Sequence, residues 1–345
     1  MLKNLFKAEI LTWIVILVGV FFFGLGSSYF GLTFLGRKSG PLPTNKPSFS
    51  NVTPAPINNH NPQQGVYNVL FLGYGGGNHE GALLTDSVIV IHVDTNTHKA
   101  SMISIPRDLW VPGNQKVNAA GISGFQNSEP VVQNVTGLPI NYYVSVDFSG
   151  FTKLVDDLGG ITVNVPKTFD DPFYPIIGQE NNVCGITEAQ INEFKAKYNG
   201  FELERQFTCR YEHLHYDAGS ANLDGTAALK FVRSRHGDSD FGRSLRQFAV
   251  LQGIGNKLIS LRSLNKLDTT INNLYDIVRS DLDLGTIKSL IQVFGDPNMY
   301  KINQIQLTTE NVLNESFAND GEYILTPKAG SLNFQGVKDY INSQL

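Results

Sequence analysis

The chain has 345 residues, 41% of them hydrophobic, and carries 27 basic against 31 acidic side chains for a net charge of −4. That is core material for one large or two small domains, and it is ordinary for a globular protein. The acidic balance excludes a nucleic-acid binder that relies on a broadly basic face, and two cysteines without further ligands nearby exclude a structural zinc site.

Residues 10–35 contain no charged side chain. At about 1.5 Å per residue they can span a hydrocarbon core of about 30 Å, so a single N-terminal transmembrane helix is predicted, preceded by a short cytoplasmic tail over residues 1–9. The alternative is a cleaved secretory signal, with Lys3 and Lys7 as its basic region and Gly24 to Ser28 around the cut. Residues 36–65 are rich in Pro, Asn and Ser without apolar periodicity and read as a tether. No internal repeat or second low-complexity stretch follows, so residues 66–345 are predicted to form one extracytoplasmic unit on a single-pass protein of the cell membrane.

Tyr67 to Leu72 reads as a strand that runs into the loop Gly73-Tyr74-Gly75-Gly76-Gly77. Such a loop lets backbone N–H groups approach a phosphate, although it matches neither a Walker A sequence nor a GxGxxG fingerprint. Ser87 to Val93 and Ala100 to Ile105 form a predicted hairpin. Centred near Asn96 and Thr97, its register pairs Asp86 with Arg107 at the open end, beside the glycine loop. A carboxylate in that position can ligate Mg²⁺, which takes one or two protein carboxylates plus phosphate oxygens. As a purely structural feature, Asp86 would be a loop cap and Arg107-Asp108 a surface ion pair.

Further on, Asn141 to Asp147 alternates as a strand, Phe148 to Leu158 has helical spacing, and Ile161 to Val165 is again a strand, a unit that packs a helix on a sheet. Residues 184–218 read as an insertion with a helix near Glu188 to Tyr198. Cys184 and Cys209 within it would close a ring of about 25 residues, a reasonable disulfide in an oxidising compartment, or they could be two buried thiols. The tail offers a helix near Asp283 to Phe294, a strand near Ile302 to Leu307 and a terminal helix from Leu332, and it carries no evident chemistry.

Between Phe231 and Gln247 the chain places Arg233, Arg235, Arg243 and Arg246 around Asp238 and Asp240. Arginine forks hold phosphate oxygens bidentately, and a basic knot in an acidic domain points to one multiply charged anion in a pocket. Asp240, Arg243 and Gln247 share one stripe of a helix predicted to start near Phe241, whose N–H groups also favour an anion. Each arginine taken singly is more simply a solvated helix charge.

The segments NVLFLGYGGG, LTDSVIVIHVD, ASMISIPRDLWV, INYYVSVDFSGFTKLVDDLGGITVNV and LDGTAALKFVRSRHGDSDFGRSLRQ, over Tyr67 to Leu261, resemble in order those of the LytR-CpsA-Psr family of membrane-anchored phosphotransferases. The resemblance implies an α/β fold with a central mixed β-sheet sandwiched between helices (α/β/α). It implies transfer of a glycopolymer phosphate from a polyprenyl-pyrophosphate carrier to a peptidoglycan hydroxyl, the lipid tail lying between sheet and helices. By motif, Asp86 resembles the family's metal-binding aspartate, with Mg²⁺ or Mn²⁺ as the ion, and Arg107 the arginine of its Pro-Arg-Asp element. Arg233 and Arg235 resemble the paired arginines on the pyrophosphate, Arg243 and Gln247 the Arg and Gln of the following helix, and Asp240 an acid that accepts the hydroxyl proton. Arg246 would add to the same anion site. Two positions depart from the pattern: Tyr74 and Leu84 stand where many members have Asp and Arg, with His79 or Glu80 as possible substitute ligands. Hydrolysis, with water replacing the acceptor hydroxyl in the same pocket, is one alternative, and the missing acid at Tyr74 keeps in view another, non-catalytic binding of polyprenyl phosphates as a scaffold or sensor.

Overall fold

The computed structural model describes residues 65–77, 81–237, 240–262, 275, 277–294 and 299–345. The predicted cytoplasmic tail, transmembrane helix and nearly all of the tether lie outside them. No helix among the described residues is long and apolar enough to cross a membrane.

In chain order the elements begin with β1 (Val66–Tyr74), β2 (Thr85–Asp94) and β3 (Lys99–Ile105), followed by the short pair β4 (Trp110–Val111) and β5 (Gln115–Lys116). Helix α1 (Ser128–Thr136), β6 (Tyr142–Asp147), α2 (Phe148–Asp157) and β7 (Ile161–Val165) follow, then β8 (Phe169–Pro175). Helices α3 (Glu188–Lys197) and α4 (Gly200–Glu204) lead to β9 (Tyr211–Tyr216), β10 (Gly219–Leu223), α5 (Gly225–Arg233) and α6 (Asp240–Arg262). The tail contributes β11 (Arg279–Ser280), α7 (Leu284–Phe294), β12 (Lys301–Gln306), β13 (Leu313–Phe317), β14 (Tyr323–Pro327) and α8 (Gln335–Gln344).

Six strands form one mixed sheet in the order β11-β6-β1-β2-β3-β12. β6 runs parallel to β1 and β12 parallel to β3, while β2 is antiparallel to both of its neighbours. The carboxyl ends of β1, β3, β6 and β12 therefore share one edge with the amino end of β2. Alternation along β1 separates two cores. Val69 and Phe71 face α2, α5, α6 and β7, whereas Leu70 and Leu72 face α1, α8 and the residues around β4. The α/β/α sandwich is as expected. The central strands are buried on both faces, as sheets covered by helices on each side require.

Helix α2 packs on the sheet as predicted, but the strand after it does not return there. β7 pairs with β10 in a separate two-stranded ribbon that underlies α6. The backbone of Gly225 makes the tight α2–α5 crossing possible, because a Cβ there would lie 2.2 Å from the carbonyl oxygen of Thr152. The predicted insertion over residues 184–218 also needs correcting. Tyr211–Tyr216 is β9, which pairs with β8, so the excursion is the lobe between these strands. α3 opens with a capping box at Thr187, and the lobe is closed by a disulfide between Cys184 and Cys209.

Candidate active site

The glycine loop leaves β1 at the shared edge, where the β1–β2 register shifts between Gly73 and Tyr74. Gly76 has a φ of +71°, and a Cβ there would lie 2.7 Å from the Cβ of Asp147, so only glycine lets the loop pass the end of β6. Asp147 in turn caps α2, its Oδ1 accepting from Gly150 N and Ser149 Oγ, each at 2.8 Å.

On the other side of β1, the expected hairpin register is observed, with Asp94 opposite Lys99 and Val88 opposite Ile105. It brings Asp86 and Arg107 together just beyond the ladder. Arg107 Nη1 donates to Asp86 Oδ1 at 2.5 Å, with 1% of the aspartate side chain exposed and 22% of the arginine's. Burial works against the Arg107 charge, but Asp86 and Asp108 outweigh it and hold the guanidinium pKa above its ordinary value. Asp108 accepts from Lys116 Nζ at 2.8 Å, and the same ammonium reaches Glu322 at 2.8 Å, tying the β13–β14 hairpin to this loop.

Helix α6 approaches from the opposite core and adds Arg243 and Gln247 one turn apart. Gln247 Nε2 lies 3.4 Å from Ser87 Oγ. Asp86, Arg107, Asp108, Arg243 and Gln247 line one cleft, together with Gln306, Thr308 and Tyr323 from the tail. The tail, expected to carry no chemistry, thus builds one wall of the site. Nothing local could have revealed this, because Gln306 reaches the edge only through the parallel pairing of β12 with β3.

Arg233 and Arg235 are not among the residues lining that cleft; Arg233 sits near the end of β6. Arg233 ends α5, its guanidinium 4.3 Å from the Phe148 ring centre and its Nη1 3.5 Å from the Tyr174 hydroxyl. Its Nε is buried without a hydrogen-bond partner among the described residues. Burial pushes the Tyr174 phenol above its ordinary pKa, with Arg233 pulling the other way, so the hydroxyl stays neutral. Two residues on, Arg235 is exposed. The turn between them is set by Asp171, fully buried, which accepts from Ser234 Oγ and from His236 N.

The structure corrects the expectation for Arg246. It is 2% exposed, donates through Nε to Phe231 O at 2.8 Å and through Nη2 to Ser234 O at 2.6 Å, and stacks on Phe169 at 3.9 Å. It binds the carbonyls at the end of α5, so it supports Arg233 and Arg235 from within the core instead of reaching an anion. Asp240 begins α6, one turn ahead of Arg243. Its side chain lies outside the described part of the molecule, as do Asp238, His79 and Glu80.

Tyr74 is 4% exposed and packs on Phe125, and burial raises its phenol pKa, so it is a neutral group where an acid was expected. Among the described residues no three His, Cys, Asp or Glu side chains converge on a metal position. Asp86 and Asp108 are the carboxylates that line the described cleft, so a metal held there would draw its other ligands from substrate phosphates and water.

A profile of the LytR_cpsA_psr family matches residues 44–335. The polyisoprenyl-teichoic acid–peptidoglycan teichoic acid transferase TagV of Bacillus subtilis is 25% identical over 279 residues, which is 77% of this chain and 62% of TagV. The similarly named TagU of Oceanobacillus iheyensis is 29% identical over 68% of this chain and 65% of its own length. The matched part thus spans somewhat under two thirds of these two relatives. The crystal structure of B. subtilis TagV superposes with a TM-score of 0.57 at 24% identity, covering 82% of this chain and 98% of that one. A structure of TagT bound to LI-WTA gives 0.53 at 24% identity, covering 82% and 91%. At these identities the superpositions establish the fold.

Proposed function

Because the chain belongs to the LytR-CpsA-Psr family, we propose that it is a phosphotransferase that moves a glycopolymer phosphate from a polyprenyl-pyrophosphate carrier to a peptidoglycan hydroxyl. The observation that carries this reading is the convergence of the Asp86–Arg107 pair with Arg243 and Gln247 at the carboxyl edge of the sheet, where open α/β sheets place their ligands. The names of the relatives, which act on polyisoprenyl-linked teichoic acid and peptidoglycan, support the same class of substrate.

In the reaction, the acceptor oxygen attacks the phosphorus nearer the glycan and the bond from that phosphorus to the bridging oxygen breaks. Polyprenyl phosphate leaves, and the hydroxyl proton passes to Asp240. Charge accumulates on the bridging and non-bridging oxygens. By count the charges lining the cleft balance, Arg107 and Arg243 against Asp86 and Asp108, so Arg233, near the end of β6, and Arg235 would supply the positive excess. Fixed guanidinium donors of this kind stabilise a phosphoryl-transfer transition state without reorganisation. Asp86 would hold Mg²⁺ or Mn²⁺, which would supply further neutralisation of the diphosphate charge. The lipid tail would lie between the sheet and α2, α5 and α6, whose facing side chains are apolar. The Cys184–Cys209 disulfide supports an oxidising, extracytoplasmic location, with residues 10–35 as the membrane helix.

The neutral Tyr74 favours one other reading, a polyprenyl-phosphate-binding scaffold without turnover. Incubating the purified chain with a polyprenyl-pyrophosphate-linked oligosaccharide, Mg²⁺ and peptidoglycan fragments separates the two. Polyprenyl monophosphate plus a phospho-linked glycan adduct, detected by mass spectrometry, is expected. Monophosphate without adduct would indicate hydrolysis, and donor bound but unchanged would leave only the scaffold.

A further inference from the structure

Gln306 ends β12 with its Cα opposite Ser104, and it is one of the residues that line the cleft with Arg107. Both amide atoms, Nε2 and Oε1, are buried and have no hydrogen-bond partner among the described residues. A buried primary amide with neither of its functions satisfied is costly to the fold and calls for a partner that the protein itself does not supply. The surroundings are rigid. The Gln306 carbonyl accepts from Asn311 Nδ2 at 2.8 Å, Asn311 Oδ1 accepts from Thr308 N at 2.8 Å, and Leu325 N donates to Asp108 O at 2.9 Å. These contacts fix the backbone that carries the Gln306 side chain.

A carboxamide presents one acceptor and two donors, which is complementary to a secondary amide: Oε1 accepts its N–H while Nε2 donates to its C=O. Tyr323 lies at the same cleft, 39% exposed, its hydroxyl 3.3 Å from Glu315 Oε1, and Leu307 and Leu325 supply an apolar lining. An aromatic ring offered to solvent beside an amide-reading side chain and a small apolar surface fits a sugar ring carrying an acetamido group, with the methyl on the leucines. Arg233 sits near the end of β6, and β12 lies at the opposite margin of the sheet, so Gln306 stands on the side of Asp86 and Arg107 away from Arg233. We infer that Gln306, with Tyr323, reads the acetamido group of the acceptor sugar and makes the protein select N-acetylated over N-deacetylated glycan. This inference rests on the transferase reading for its direction, but not for its chemistry.

The test measures equilibrium binding of peptidoglycan-derived oligosaccharide, fully N-acetylated or chemically N-deacetylated, to the full chain and to Gln306→Leu. A stem-peptide fragment without sugar forms a third arm, and thermal unfolding and transfer turnover are recorded in parallel. The native chain is expected to prefer the N-acetylated form by about tenfold or more, and Gln306→Leu to lose that preference, since a site built to pair an amide rejects a ligand lacking one. Because the replaced amide is unpaired in the free protein, Gln306→Leu should keep or slightly raise Tm, by about 1–3 °C. A structural hydrogen-bonding role would instead lower it. Retention of the preference in Gln306→Leu, its absence in the native chain, a fall in Tm of several degrees, or equal Gln306-dependent binding of the peptide alone would overturn the assignment. If the acetamido preference is present and Gln306-dependent while no transfer occurs, the inference stands and the transferase reading fails. Transfer without any preference would overturn the inference and leave the transferase reading standing.

Discussion

Replacing Arg107 by Met leaves Asp86, whose side chain is 1% exposed, without the guanidinium that now sits 2.5 Å away. Stranding one member of a buried ion pair costs about 3–5 kcal/mol, because the remaining charge has lost its water and its partner. Asp86→Asn combined with Arg107→Met removes both charges and should lie within about 1.5 kcal/mol of the native chain, giving a coupling energy of about 2 kcal/mol or more. Urea unfolding of the four proteins at pH 7 measures these quantities. A double variant as unstable as the sum of the single variants would refute the claim that this buried pair is a coupled electrostatic unit.

The other expectations concern separate parts of the molecule. Arg233→Ala should lower transfer turnover by about 10²-fold with a stability change within about 1 kcal/mol, whereas Arg246→Ala should cost about 3 kcal/mol in urea unfolding, since it strands the carbonyls of Phe231 and Ser234. Glu129, pushed up to about 7 by burial and by the charge of Asp281, favours the fold fully below the unfolded value of 4.5 and loses that contribution as the pH rises through 7. Glu129→Gln should therefore gain about 1 kcal/mol at pH 8, after allowance for solvent screening, and nothing at pH 4, as read from Tm at the two pH values. Reducing the Cys184–Cys209 bond, which closes a separation of 25 residues, should lower unfolding stability by about 3 kcal/mol in a dithiothreitol-dependent melt. Gly225→Ala, forced against Thr152 O, should destabilise by about 2 kcal/mol or more, as seen in the urea midpoint.

The sandwich and half of the site were legible because they depend on local order. Alternation in Val66–Tyr74 and Thr85–Asp94 sets which side chains face each core, and the short turn at Asp94–Lys99 sets the hairpin register, which is why Asp86 and Arg107 could be paired by counting. The stripe of Arg243 and Gln247 follows equally from the period of one helix. Residues related by a few turns or one hairpin have their relative positions dictated by backbone geometry. Four other facts were decided by tertiary structure alone: that Arg246 points into the core while Arg243, three residues earlier, lines the cleft; that β7 leaves the main sheet; that Tyr211–Tyr216 returns to pair with β8; and that Gln306 and Tyr323 of the tail wall the candidate cleft. Each turns on which distant surface an element covers. That choice is made by summed apolar burial and hydrogen-bond satisfaction across the whole domain, and no window of sequence contains those terms.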